Sequence, residues 1–270
     1  MGKLTKISTI KNLLFGFVIT AGLVVPAAVR AQSAGGNDLD RAAFRIVSAD
    51  GSQVLGHGEY HLEDGAQPVL VGRNKYLDGE YDVERDVVVP GADGSISGMV
   101  SFEHTYFNAD GSKKLVARAD LRSGEAGCID YEASEERGAV KQIDFPSDTY
   151  AGATAVLAME NALRENGGQA SFHVFDCGPN PKVVAVSATQ IAGRDESVAS
   201  YPRPLTLIDV TADLGWVGSL VGGMLPHRHA WFDAASGWHF VAGKIQRYFA
   251  RGPQVMMVRE AAAFSNRASN

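Results

Sequence analysis

The stretch "LPHRHAWFDAASGWHF", residues 225–240, holds three of the chain's seven histidines, two tryptophans and an aspartate. If it runs as a strand, alternate side chains share a face, so His227, His229, Trp231 and Asp233 point one way. Two imidazoles spaced H-x-H and aimed together are what a tetrahedral zinc requires. The third ligand is harder to place. A loop of Ala235-Ser236-Gly237, with Gly237 in the left-handed region, sets His239 opposite Asp233 and on the same face. His239 then lies about five residues from His229, at roughly 3.3 Å per residue, too far for one coordination shell without bending. The stretch therefore reads first as a hairpin with a histidine and aromatic face. A zinc-assisted hydrolase using His227 and His229 is the alternative.

Other chemistry is sparse. His57 and His61 flank "GEY" at the spacing of a metal motif, but in a strand context. Asp130, Asp144, Asp148 and Asp176 could serve as acids, yet paired-carboxylate hydrolysis depends on a separation that a sequence does not give. The chain contains no G-x-S-x-G elbow, no P-loop and no G-x-G-x-x-G. No catalytic residue is assigned.

The elements around the hairpin read mostly in twos. "AFRIVS", "QVLGHGEYHL", "PVLVGRNKYL", "EYDVERDVVV", "SISGMVSFEHTYF" and "KKLVARADLR" follow one another, and "ASFHVFDC", "KVVAVSATQIAG", "PLTLIDVTA" and "VMMVRE" come later. Period-two runs of this kind mark antiparallel strands with one wet face. In "EYDVERDVVV", Tyr81, Val83 and Arg85 take one face, and Asp82, Glu84 and Asp86 take the polar one. "ADGS" recurs at 49–52, 92–95 and 109–112, each time between two runs. Aspartate followed by glycine suits a hairpin turn, and the further oxygen ligands of a calcium loop are missing.

One segment departs from this period. "SDTYAGATAVLAMENALREN", 147–166, is rich in helix formers, has Ser147 or Asp148 as a cap, and stops at Asn166-Gly167-Gly168. Its apolar stripes are broad enough to be buried on two sides. The expected fold is mainly β (α+β): a curved antiparallel sheet or open half-barrel wrapped around one central helix. "GWVGSLVGGML", 215–225, suits a loop or short helix closing one end.

Residues 1–31 read as a signal peptide. Lys3, Lys6 and Lys11 precede the apolar run "LLFGFVITAGLVVPAAV", which closes on Val29-Arg30-Ala31. A flexible lead at 32–41, a single β-rich domain at 42–262 and a disordered tail at 263–270 complete the expected organisation. The mature protein is then periplasmic or secreted and does not span the membrane. An outer-membrane barrel fits poorly, because a helix interrupts the strands and the chain ends in polar "SNRASN".

The whole sequence carries a net charge of −6, and the leader removes basic residues only. That argues against nucleic acid as a partner, which needs a concentrated basic face. Cys128 and Cys177 are the only cysteines. In an exported protein they read as one disulfide, the alternative being two buried thiols that never meet. At 45% apolar, the chain has ample material for a core.

The order of strands, one helix opening with "FPSDTYAG", and strands again through "FHVFDCGPNPKV" and "WFDAASGWHF" resembles the open half-barrels of bacterial periplasmic lipoprotein carriers. It is more similar to secreted bacterial families of unknown function thought to share that shape. The resemblance covers roughly residues 145–258 and implies an apolar concavity, with no catalytic residue to carry over. The expected function is an exported binding or scaffold protein, its groove lined by Val156, Leu157, Met159, Leu163, Trp216 and Leu220. It would take a lipid, a glycolipid, another hydrophobic ligand or an envelope protein, with no cofactor.

Overall fold

The computed structural model describes residues 41–92, 94–132, 137–177, 180–196, 198, 201–213, 228–248 and 251–260. The expected leader, most of the lead and the tail lie outside the described residues, as do Trp216, Leu220 and His227.

Fifteen strands form one sheet. They are β1 (Arg41–Ser48), β2 (Val54–Glu63), β3 (Val69–Tyr76), β4 (Tyr81–Pro90), β5 (Ile96–Phe107), β6 (Lys113–Asp120), β7 (Glu125–Asp130), β8 (Arg137–Gln142) and β9 (Thr149–Tyr150). After the helix α1 (Gly152–Glu165) come β10 (Gln169–Cys177), β11 (Pro181–Glu196), β12 (Leu205–Asp213), β13 (Arg228–Asp233), β14 (His239–Tyr248) and β15 (Arg251–Arg259). The order is β8-β7-β6-β5-β4-β3-β2-β1-β15-β14-β13-β12-β11-β10-β9, so two meanders meet where β1 pairs with β15. Every pairing is antiparallel except the short parallel one of β9 on β10. The period-two pattern and the turns account for this topology. At two "ADGS" turns, Gly51 and Gly111 take positive φ, and Asp50 and Asp110 accept the backbone N–H of Ser52 and Ser112. Among the described residues no helix is long and apolar enough to cross a membrane.

The sheet is open in hydrogen bonds but rolled. Cys128 on β7 and Cys177 on β10 lie one strand in from opposite edges and are joined by a disulfide, with their Cα atoms 5.7 Å apart. Phe175 on β10 packs edge-on against Phe102 on β5 and against Phe145, across the same seam. The interior is a single cluster built around Phe44, Leu70, Phe102, Leu163, Phe172 and Phe232.

Helix α1 lies against this concave surface, touching β3, β4, β5, β9, β10 and β14. It begins later than its composition suggests. Thr149 and Tyr150 pair with His173 and Val174 as β9, and neither Ser147 nor Asp148 caps the helix. Instead Thr154 Oγ1 accepts the Ala151 N–H at 3.2 Å and donates to the Ala151 carbonyl at 2.6 Å. The C-terminal stop at Gly167 and Gly168 is as expected, both with positive φ and with the Gly168 N–H on the Leu163 carbonyl. A smaller apolar cluster, with Leu205, Leu207, Trp231 and Val241, lies on the sheet face turned away from the helix.

Candidate functional site: a buried acidic file beneath the helix

The alternation in β4 has the expected period, but its polar face is turned inward. Asp82, Glu84 and Asp86 are 1%, 2% and 0% exposed, whereas Val83 and Val87 are only half-buried. A single strand shows which residues share a face; which face meets the core depends on the strands and helix around it. Here the concave side carries α1, and the acids lie beneath its first turn.

Register builds the site. One cross-strand row runs Tyr60, Gly72, Glu84, His104, Ala117, Cys128 through β2 to β7. The next runs Gly58, Asn74, Asp82, Tyr106. Two glycines make room for the polar groups. A Cβ on Gly58 would come 2.0 Å from Asn74 Oδ1, and one on Gly72 would come 2.4 Å from the Tyr60 ring.

His104 joins the two rows. Its Nε2 lies 2.8 Å from Asp82 Oδ1 and its Nδ1 lies 3.4 Å from Glu84 Oε2. Asn74 Nδ2 donates to Asp82 at 2.9 Å. Tyr106 stacks on the imidazole with ring centroids 4.3 Å apart. Glu84 Oε1 accepts the Ala153 N–H at 2.6 Å, so a β4 carboxylate 69 residues away serves the free amides that open α1. Asp86 accepts no hydrogen bond of full geometry from an N–H or O–H donor; Glu84 and Thr154 are its polar neighbours.

The electrostatics follow from burial. Loss of water pushes the Glu84 carboxyl up despite the pull of His104. Burial, then the Glu84 charge, pushes Asp86 well above the carboxylate range. Burial works against the charged form of His104, but Asp82, by charge and hydrogen bond, and then Glu84 outweigh it and hold the imidazole above its ordinary value.

The file ends at one mouth of the rolled sheet. Tyr106 packs edge-on against Tyr248 of β14, with centroids 5.7 Å apart. There Glu80 binds Lys114 at 2.7 Å, Arg247 at 2.9 Å and the Tyr248 hydroxyl. The Arg247 guanidinium sits 3.9 Å over the Tyr76 ring. Six strands separate β6 from β14 in the sheet order, so the Lys114–Tyr248 contact crosses the mouth.

The quoted hairpin forms as expected in its pairing, with Asp233 opposite His239 and Gly237 left-handed. Its loop is longer than three residues: a 3-10 turn, Ala234–Ser236, then Gly237 and Trp238, which also has positive φ. His229 Nε2 lies 3.9 Å from Asp209 Oδ1 on β12. Asp233 is engaged by Tyr201, Ser236 and Arg203. Among the described residues no group of three or more His, Cys, Asp or Glu is arranged to hold a metal. His57 and His61 lie beside Glu260 and Glu63 and apart from the buried file. Of the residues expected to line a groove, Leu163 and Met159 are in the core, and Val156 and Leu157 are half-buried against it. The acidic file escaped the sequence reading. The glycines at 58 and 72, inside strand patterns, were its signal, because a strand glycine often marks a close approach.

No family model and no curated protein matches the sequence. Among solved structures it is similar to a β-barrel-like protein of a domain of unknown function from Brucella abortus, at 13% identity and a TM-score of 0.40, over 82% of this chain and 94% of that one. At that level of likeness no residue role transfers.

Proposed function

We propose that this chain is an exported binding or scaffold protein whose trough takes an apolar ligand, a lipid or glycolipid, beside α1. The observation that supports it is how the helix is enclosed. Thr154, Ala158, Met159, Glu160 and Leu163 are buried, while Ala153, Ala155, Val156, Leu157 and Ala162 are half-buried. These positions together cover the helix circumference, so α1 is surrounded and yet keeps solvent access on several sides. An apolar interior with few polar groups at one end is the usual form of a small-molecule site. Export is supported by the leader pattern and by a disulfide, which persists in oxidising compartments.

Native mass spectrometry of protein purified from an exporting host tests the reading. The expected result is apolar adducts that solvent extraction removes, and binding of a fluorescent fatty-acid probe that Val156→Asn weakens several-fold. Clean apo protein that binds no probe overturns it; a co-purifying envelope protein in place of lipid supports the scaffold form instead. Stoichiometric zinc, lost in His229→Ala, would favour the hydrolase alternative.

A further inference from the structure

We propose that Asp82, Glu84, Asp86 and His104 form a proton-loaded clasp: with one proton on the His104 ring and one shared by Glu84 and Asp86 it holds the N-terminus of α1 on β4, and loss of those protons releases that end of the helix from the trough. This does not rest on what the trough binds.

Both ring nitrogens of His104 face carboxylate oxygens, at 2.8 Å and 3.4 Å. Nε2 faces Asp82 alone, whereas Nδ1 faces both Glu84 and the Tyr106 hydroxyl, each at 3.4 Å; with the carboxyl proton held between Glu84 and Asp86, the imidazolium is the form that donates toward both acids. Glu84 and Asp86 are successive inward positions of β4, 2% and 0% exposed, and neither Asp86 carboxyl oxygen accepts a hydrogen bond of full geometry, Glu84 and Thr154 being its polar neighbours. Two carboxyls in that position hold a proton between them rather than ionise together.

The charge count then decides. With both protons present, the four groups sum to −1, which suits the single positive end of a helix. With both removed they sum to −3 in a water-excluded interior. Among the described residues no cation other than His104 acts on the file. Tyr60 faces the file from β2, Asn74 and Tyr76 from β3, Tyr106 from β5, and Thr154 with the first amides from α1. None of these carries positive charge. Arg247 on β14 is screened by the Tyr76 ring and already paired with Asp78 and Glu80. The released groups all lie at the first turn. The far half of α1 keeps its own link, Glu160 accepting the Phe240 N–H at 2.6 Å. Motion would therefore pivot about the C-terminal half. The raised values of Glu84, Asp86 and His104 place the release toward neutral and alkaline pH.

Amide hydrogen exchange on the intact, oxidised chain, corrected for the intrinsic pH dependence of exchange, tests this between pH 5.5 and 8.5. The expected result is that protection of amides 154–159 falls at least tenfold as pH rises, following about tenfold per pH unit for each proton released, while β10 and β11 hold theirs. In Asp86→Asn, which leaves Glu84 without a rival charge, the slope becomes shallower. Flat protection in the unaltered chain overturns the clasp whether or not the variant folds. So does a loss shared equally by every strand, or an unchanged slope in Asp86→Asn.

Discussion

Asp86 is wholly buried beside Glu84, and a carboxyl in that position must keep a proton or bear a like charge at contact distance. Replacing it with asparagine keeps the shape and removes the charge. Asp86→Asn is expected to be more stable than the unaltered chain at pH 8, by about 1–2 kcal/mol, the lower part of what removal of a buried charge returns, and to converge with it at pH 5. Thermal melts at the two pH values check this. The same groups set the pH profile of the fold. Glu84, Asp86 and His104 are held above their ordinary values, so each binds its proton more tightly in the folded chain. Their contribution is complete below the unfolded values and is lost as pH rises through the folded ones. Surface acids act in the other direction. The Ser48 and Ser52 hydroxyls and the Ser52 amide hold Asp50 down at about 2, and Asp110 is lowered in the same way by Ser112. What these acids contribute is present above the ordinary carboxylate range and lost as pH falls below it. The melting temperature should therefore peak in mildly acidic buffer, between about pH 5 and 6.5, and decline toward pH 9. A maximum at pH 8 would contradict the assignment.

At the level of elements, the contact between β4 and α1 concentrates its demands on Gly152. Its φ is +45°, and a Cβ there would stand 2.2 Å from Glu84 Oε1. Gly152→Ala must twist the first turn or push Glu84 away from the Ala153 amide. It is expected to lower stability by about 2–3 kcal/mol, at the upper end of overpacking costs, read from the urea midpoint. The alanine-rich segment announced its helix, but its start could not be read locally. Ser147 and Asp148 look like caps, whereas pairing of Thr149 and Tyr150 with β10 delays the helix to Gly152, and the cap comes from Thr154 and from β4. The strands were legible for a simple reason: the period of two depends on backbone geometry alone. The orientation of β4 was not, because D-x-E-x-D looks like a wet face until the helix and His104 are placed against it. The histidine-rich hairpin stands out by local density, while His104 gives no local signal and gains its partners only through the register of β4 with β5.

At the scale of the whole molecule, two meanders share one hinge pair, β1 with β15, and their free edges come together without a ladder. A hydrogen-bonded barrel spreads closure over a full strand pair, whereas here one covalent bond and a few ring contacts close the seam. The bridge links residues 49 apart, and the loop-entropy account gives it about 4 kcal/mol. The paired change Cys128→Ser with Cys177→Ser is expected to lower unfolding free energy by up to that amount in urea titrations. The hinge strands should be spared, because β1 and β15 are the eighth and ninth strands counted from the β8 edge, deep in continuous ladder. Limited proteolysis should accordingly cut first near β8 and β9. A loss below about 1 kcal/mol would mean instead that Phe175, packed between Phe102 and Phe145, closes the seam by burial. Phe175→Ala in the bridged chain would then be the more damaging change, by about 3 kcal/mol or more, as for other buried aromatics.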